Sequence, residues 1–326
     1  MSTIKDVAKK AGVGIATVSR VINDSGYVGA KTKEKVLKVI EDIGYHPNEI
    51  ARSMTRQKNH IVAFVLPNNK HVFFSELLYE LEQILFDDDY KLMLCNSSEE
   101  TYKEIEFLNM LKNNRVDAVI LLTNNDIEDE IDTDLPIISF DRVIEGIPLV
   151  ASDNYTGGQL AADVLMEKGC KEFLFIGDDA QGINTTIQTE VSKRRIGFNE
   201  RLKECGKTKI YNFEYPLGNY LIKREKALEV LDKYPNVDGI FAISDAVAFT
   251  LIRELENMGK RVPEDVKVIG FDGGRKFFDY GKKLSSIAQS PEKIAQALRD
   301  MIIKFYNNEP VKNVILPVEF IEGDTT

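Results

Sequence analysis

The alternation of short apolar runs with helical patterns from Ile61 onward most restricts how this chain can fold. Each of the runs IVAFVLP, KLMLCN and GIFAISD is followed by residues with helical periodicity. Strands that are continuously apolar and alternate with helices are typical of parallel sheets covered on both faces. About ten such strands predict two doubly wound α/β lobes, the first ending near Asp153. The last segments, LSSIAQS and VILPVEFIE, would return the chain across both lobes.

The N-terminal segment has a different pattern, since three short amphipathic helices are predicted there. IKDVAKKAG ends at Gly12, a second helix runs from Ile15 to Asn23 with Val18 and Val21 on one side, and AKTKEKVLKVIEDIGY supplies the third. Two short helices joined by a turn containing Gly form a helix-turn-helix, whose second helix enters the DNA major groove. Taken alone, this segment fits an ordinary three-helix core equally well.

The distribution of charge favours the DNA-binding alternative. The net charge of the chain is −10, but residues 1–60 carry eleven Lys and Arg against six Asp and Glu. The head is therefore +5 and the rest is −15. A basic head on an acidic body is typical of a small DNA-binding module attached to another domain, although a solvated basic face gives the same count.

Enzymatic and metal-binding classes receive no support from the sequence. The three cysteines lack CxxC spacing, and the three histidines lack metal-ligand spacing. There is no phosphate-loop motif, no dinucleotide fingerprint and no nucleophile paired with a base. No signal-peptide pattern and no apolar run approaching 18 residues is present. We therefore expect a cytoplasmic protein that is not an enzyme, needs no cofactor or metal and does not contact the membrane.

Several motifs in order along the chain carry a family resemblance. TIKDVAKKAGV, IATVSRVIN, TKEKVLKVIEDIGYHPN and IARSM lie in the head, and FDR, DN-GG, GFDG and SIAQ follow in the body. Together they resemble the lactose/galactose repressor family of bacterial transcription regulators over the full length. YVGAKT, YKLMLCNSSEE, ISFDR and VASDNYTGG look most like sucrose-operon repressors.

The resemblance implies a helix-turn-helix head, a hinge helix and a two-lobed body like a periplasmic binding protein, with two doubly wound parallel sheets. The head is predicted over residues 1–46, and the hinge and linker over 47–60. The N-terminal lobe is predicted over 61–157 with about 289–317, and the C-terminal lobe over 158–288 with about 318–326.

The second helix supplies the predicted DNA contacts. Arg20 can donate two hydrogen bonds to a guanine edge, and Ile15 and Ala16 can contact a thymine methyl group. Gly14 stands where relatives often have a capping Ser, so one backbone contact is in doubt. With what the resemblance implies, the DNA-binding set in the head is Thr3, Ile15, Ala16, Thr17, Ser19, Arg20, Asn23, Tyr27 and Thr32.

The IARSM segment resembles the hinge helix of the family, which folds on DNA. Asn48 can cap a helix of barely two turns, and such a helix is too short to persist alone. Ala51 and Met54 lie on one face and would form the wedge that enters the minor groove. Many relatives have Leu at the position of Met54. A simple linker is the alternative.

Four aspartates at strand ends are predicted to converge at the ligand crevice, which lies beyond the carboxyl ends of parallel strands. Asp153 and Asp245 also have a plain explanation as helix caps. Asp141 and Asp272 precede no helix directly and favour ligand binding. Carboxylates, an Arg and aromatic rings suit a sugar. With the resemblance, the predicted effector-binding set is Phe73, Phe74, Asp141, Arg194, Ser244, Asp272 and Gln289.

The sequence therefore predicts a homodimeric repressor that binds operator DNA and is released or tuned by a small carbohydrate, sucrose or a related sugar that is neutral or phosphorylated. Allosteric coupling of this kind is typically about 1–3 kcal/mol. A sugar-binding protein without a regulatory role on DNA is one alternative. A family member that uses a corepressor or a carrier protein is another. VEFIEGDTT has no heptad pattern, so we expect no coiled-coil tetramer.

Overall fold

The computed structural model describes residues 2–45, 58–178, 189–215, 222–274 and 281–326. The chain divides into two compact units, residues 1–59 and residues 60–326.

The first unit contains three helices around a small apolar core. Its core consists of Val7, Ala8, Ala11, Val18, Val21 and Val36. The first helix begins with a capping box between Thr3 and Asp6 and ends at Gly12, whose φ of 64° is left-handed and so suits glycine. The helices are α1 (Ile4–Ala11), α2 (Ile15–Ile22) and α3 (Ala30–Asp42).

The first sheet of the second unit has six strands, all parallel, in the order β11-β5-β4-β3-β1-β2. Its strands are β1 (Ile61–Leu66), β2 (Lys91–Asn96), β3 (Ala118–Leu121), β4 (Ile137–Phe140), β5 (Leu149–Ser152) and β11 (Val314–Leu316). Its helices are α4 (Val72–Asp87), α5 (Thr101–Lys112) and α10 (Pro291–Tyr306).

Both faces of this sheet are covered, and the side chains of β1 show it. Val62, Phe64 and Leu66 pack in the core that includes α4 and α10. Ala63 and Val65 point to the opposite face, in the core that includes α5. Because successive side chains of a strand alternate between faces, a run without a polar residue indicates two buried faces.

The second sheet has the order β12-β10-β9-β8-β6-β7. Its strands are β6 (Phe173–Asp178), β7 (Ile210–Tyr215), β8 (Gly239–Ala242), β9 (Lys267–Asp272), β10 (Ser285–Ala288) and β12 (Glu319–Ile321). Its helices are α6 (Asn154–Glu167), α7 (Lys193–Glu204), α8 (Arg224–Lys233) and α9 (Asp245–Asn257). The prediction of purely parallel sheets is wrong here in one respect, since β12 pairs antiparallel with β10.

Three connections join the two sheets, after β5, after β10 and between β11 and β12. The last two connections carry the chain back across both lobes, as was predicted for the segments LSSIAQS and VILPVEFIE. The predicted fold class of a helical head and two α/β lobes is confirmed. The exact domain limits given above stay a prediction.

Candidate functional site

The outer face of α2 is the candidate DNA-reading surface of the head. Val18 and Val21 are buried, whereas Ile15, Ala16 and Arg20 are exposed. The helix starts at Gly14, which has an extended backbone and no side-chain cap. Exposure of an isoleucine and an arginine on one short helix leaves an apolar group and a two-pronged donor available to a partner.

The other predicted head residues have more varied positions. The Thr3 hydroxyl donates to Asp6 Oδ2 at 2.7 Å, so its local role is to cap α1. Asn23 Nδ2 donates to Ser19 Oγ at 3.3 Å, which holds these two side chains together at the end of α2. Of the remaining members, Thr17 and Thr32 are half-buried and Tyr27 is exposed. The hinge residues Asn48, Ala51 and Met54 lie outside the described residues.

The candidate effector site lies in the second unit, where both sheets contribute strand-end residues. All seven predicted residues are buried there. Phe73 and Phe74 begin α4, Asp141 follows β4, and Asp272 ends β9. The full set is Phe73, Phe74, Asp141, Arg194, Ser244, Asp272 and Gln289.

Arg194 is the centre of this polar cluster. It lies in the first turn of α7 with 4% of its surface exposed. Its Nε donates to Asn154 Oδ1 at 2.7 Å, and one terminal nitrogen donates to the Ile243 carbonyl at 2.6 Å. The same nitrogen lies 3.7 Å from Asp272 Oδ1. The guanidinium stacks 3.5 Å from the centre of the Phe271 ring. These contacts hold Nε, one terminal nitrogen and one face of the guanidinium.

Two glycines allow Arg194 to reach Asn154. A Cβ at Gly158 of α6 would lie 2.1 Å from the Arg194 carbonyl oxygen, and a Cβ at Gly197 of α7 would lie 2.1 Å from the Tyr155 carbonyl oxygen. The two helices therefore touch backbone to backbone. No other residue type fits at either crossing point without moving a helix.

Asp272 joins residues from both sheets. Gln289 Nε2 donates to its Oδ1 at 2.8 Å, and His71 Nε2, which precedes α4, lies 3.6 Å from its Oδ2. Burial lowers the pKa of His71 to about 4, and Arg194 adds to this effect, so the imidazole is neutral at pH 7. Burial also raises the pKa of the Asp272 carboxyl, against the opposing effects of Arg194 and Gln289.

Asp141 is the counterpart of Asp272 on the first sheet. Its φ of 54° is left-handed, which is unusual for a residue other than glycine. Burial raises the pKa of its carboxyl to about 7, and Arg194 offsets part of that rise. Its carbonyl accepts a hydrogen bond from Glu190 N at 2.9 Å, and Arg142 forms an antiparallel bridge with Thr189. This backbone link joins the first lobe to the segment before α7.

Of the two aspartates that could also be helix caps, Asp153 and Asp245, only the first is one. Asp153 caps α6, because its side chain accepts from Thr156 N at 3.0 Å. The cap of α9 is Ser244, so the interpretation of Asp245 as a helix cap is wrong. Asp245 instead accepts from Ser286 Oγ at 2.6 Å. Its pKa is raised by burial first and then by the charge of Asp272.

Sequence reasoning missed several residues of the cluster. Asn154, His71 and Phe271 contact the predicted residues only through tertiary packing, whereas Asp245 was among the four strand-end aspartates and interacts with Asp272. Arg142 was also missed, and it is fully buried next to Asp141. Its guanidinium donates to the Glu128 carboxylate at 2.9 Å and to the Thr123 and Asn125 carbonyls, which anchors the loop after β3. The FDR triplet was the available signal, but it was assigned only to Asp141.

Two general features concern the part of the chain that the structure describes. Within it, no group of three His, Cys, Asp or Glu side chains is arranged to hold a metal ion. Among the described helices, none is long and apolar enough to cross a membrane.

Two family models match the chain. One, described as bacterial regulatory proteins of the lacI family, matches residues 3–48. The other, described as periplasmic binding proteins and sugar binding domain of the LacI family, matches residues 59–323. Together they cover the head and the two lobes.

Individual relatives agree with these models. The sucrose operon repressor of Streptococcus mutans is 34% identical over 100% of this chain and 99% of the relative. The ribose operon repressor of Halalkalibacterium halodurans is 37% identical over 84% of this chain and 81% of the relative. A crystal structure of the Lac repressor dimer bound to operator and an anti-inducer has a TM-score of 0.87 at 20% identity, covering 100% of this chain and 99% of that one. This last similarity supports the fold.

Proposed function

The chain belongs to the lacI family of bacterial regulatory proteins, and we propose that it is a transcriptional repressor whose head binds operator DNA and whose body binds a small carbohydrate. The observation that carries the proposal is the buried cluster of Asp141, Arg194 and Asp272. It draws on both sheets, next to aromatic side chains, and carboxylates with an arginine are suited to sugar hydroxyls.

The effector acts by changing how the two lobes contact each other. Residues of both lobes meet at Asp272, where His71 and Gln289 approach the same carboxyl group. A sugar that bonds to Asp272 and Asp141 together favours one relative position of the lobes. A ligand shifts such an equilibrium only by its difference in affinity for the two states, and about 1–3 kcal/mol is typical.

The head binds DNA through the exposed face of α2, with Arg20 donating to a guanine and Ile15 and Ala16 contacting thymine methyl groups. Thr17, Ser19 and Asn23 hold phosphates or neighbouring bases. The hinge around Asn48, Ala51 and Met54 folds on the operator and inserts an apolar wedge in the minor groove. Two copies of the chain bind the two halves of a near-palindromic site. The protein works in the cytoplasm and does not catalyse a reaction.

Sucrose is the first effector to test, because repressors of sucrose operons are among the full-length relatives. Ribose is the second, because repressors of ribose operons match at similar identity. We expect the sugar to release the protein from DNA. If the same sugar tightened operator binding instead, the protein would be a corepressor-dependent member of the family.

Fluorescence anisotropy with an operator-sized duplex tests the proposal directly. Phosphate contacts release counterions, so the logarithm of DNA affinity should fall linearly and steeply with the logarithm of salt concentration. A scrambled duplex of the same length is the control, and it should bind at least about 1,000-fold more weakly than the operator. Equal affinity for both duplexes, with sugar binding intact, would favour a sugar-binding protein without a regulatory role.

A further inference from the structure

The buried polar cluster contains hydrogen-bond acceptors that the protein itself leaves open. Among the described residues, neither Asp141 Oδ1 nor Gln289 Oε1 has a hydrogen-bond partner, although both side chains are more than nine-tenths buried. The orientation of the Gln289 amide is fixed, because its Nε2 donates to the Asp272 carboxylate and its oxygen must then face elsewhere. A buried acceptor without a donor is costly, so these atoms are suited to a ligand that donates.

The described donors of Arg194 are directed at acceptors of the protein itself. Arg194 Nε donates to Asn154, one terminal nitrogen donates to the Ile243 carbonyl and also approaches Asp272, and Phe271 covers one face of the guanidinium. His71 is neutral at pH 7 because burial lowers its pKa to about 4. The site therefore offers an incoming anion few donors within the described residues.

The charge of the cluster points the same way. The carboxyl group of Asp272 lies 3.7 Å from the Arg194 guanidinium, and the buried carboxyl groups of Asp141 and Asp245 lie close enough to Asp272 to interact with its charge. Burial raises the pKa of Asp141 and of Asp245, the charge of Asp272 adds to both rises, and Glu190 adds to that of Asp141. A phosphate group would add up to two further negative charges and contribute only acceptor oxygens.

We infer that the negative charge of the cleft and its surplus of hydrogen-bond acceptors select an uncharged sugar, and that the cleft rejects the phosphate ester of the same sugar. This inference rests on the proposed function. It concerns the choice between a neutral and a phosphorylated sugar, which the family similarity leaves open. Sugar hydroxyl groups donate to Asp141 and Gln289, whereas an ester oxygen placed there would meet another acceptor.

Calorimetry on the full-length protein with matched pairs of ligands tests the inference. The pairs are sucrose and sucrose 6-phosphate, ribose and ribose 5-phosphate, and fructose and fructose 6-phosphate. We expect the neutral member of one pair to bind and its ester to bind at least about 100-fold more weakly, about 2.8 kcal/mol. An ester that binds as tightly as its neutral partner would overturn the inference and leave the sugar effector standing. Failure of all six ligands to bind would count against the sugar effector and with it the inference.

A variant separates charge from bulk as the reason for the rejection. At pH 8, above the Asp141 pKa of about 7, Asp141→Asn removes the carboxylate charge at constant size, so we expect the difference in affinity between neutral sugar and ester to shrink about tenfold. Asp163→Asn is the matched control, because Asp163 pairs with Arg201 outside the cluster, and it should leave the difference unchanged. A difference that is unchanged in Asp141→Asn would show that bulk excludes the ester and would overturn selection by charge. The wild-type comparison stands even if Asp141→Asn fails to fold.

Discussion

Replacing Arg194 with methionine tests whether one guanidinium holds the buried cluster together. Methionine keeps much of the side-chain length and can still pack on Phe271, but it cannot donate to Asn154 or to the Ile243 carbonyl. The variant also leaves Asp272 without its nearby positive charge. Loss of stability and loss of effector binding are therefore expected together.

The magnitude follows from the contacts. Each hydrogen bond from a charged group contributes about 1.5–3 kcal/mol, and the stacked ring about 0.5–2 kcal/mol. Adding these values overstates the loss, because the variant also removes a charge that was costly to bury. Deleting one partner of a buried charged group typically costs about 3–5 kcal/mol, and we expect that much loss in the free energy of unfolding at pH 7.

The loss should depend on pH in a defined direction. Arg194 lowers the pKa of both Asp141 and Asp272, so the pKa of each carboxyl rises further in the variant. An acid whose folded pKa is raised binds more protons folded than unfolded, and its folded form loses stability as pH rises. The variant should therefore lose less stability at pH 5.5 than at pH 8, by about 1–2 kcal/mol.

Urea unfolding of both proteins at the two pH values measures the effect. Arg201→Met is the control, because Arg201 pairs with Asp163 at an exposed position and should change stability by about 1 kcal/mol or less at either pH. A loss below about 1 kcal/mol for Arg194→Met, or an equal loss at pH 5.5 and pH 8, would refute this account of the cluster.

Three other changes test the helix contact, the carboxyl and the head. Gly158→Ala should destabilise the protein by about 3 kcal/mol or more and abolish sugar binding, because its Cβ would lie 2.1 Å from a carbonyl oxygen of α7; calorimetry and melting check both. The Asp141 pKa rises from 3.8 to about 7 on folding, so the wild type should lose stability between about pH 4 and about pH 7, and Asp141→Asn should remove that loss. The measurement is the melting temperature of both proteins at pH 5 and pH 7.5. A difference in melting temperature between wild type and variant that is the same at both pH values would contradict this. Arg20→Ala should weaken operator binding by about 1–3 kcal/mol and relax one base position per half-site, and an unchanged profile in binding-site selection would exclude that contact.

The sequence was most informative about the fold, because the signals are repeated and local. A strand such as Ile61–Leu66 has no polar residue, and this alone requires that both faces be covered. The antiparallel strand Glu319–Ile321 was missed because three residues carry no information on direction. The direction of this strand depends on the end of the sheet at which the preceding crossover enters.

The site was only partly predictable. Strand-end aspartates are a local signal, and Asp141 and Asp272 indeed reach one cluster with Arg194. Their role as effector contacts stays a prediction. Asn154 lies in the DN-GG motif and Phe271 in GFDG, but neither motif assigned them a role, since their importance comes from contacting Arg194 across separate elements. Asp245 was misjudged because a serine one residue earlier is an equally good cap, and a sequence does not decide which of two adjacent residues starts the helix.

The backbone link between the lobes has a consequence for kinetics. Asp141 O accepts from Glu190 N, and Arg142 bridges to Thr189, so this contact uses main-chain groups that every side chain shares. If the sugar leaves by separation of the lobes at this edge, the main-chain contact breaks before release. Substitutions in the cleft can then change which sugar is preferred and the part of the opening barrier due to sugar contacts, while the main-chain part stays the same. The residence time of a bound sugar would therefore contain a main-chain contribution that substitutions in the cleft leave in place.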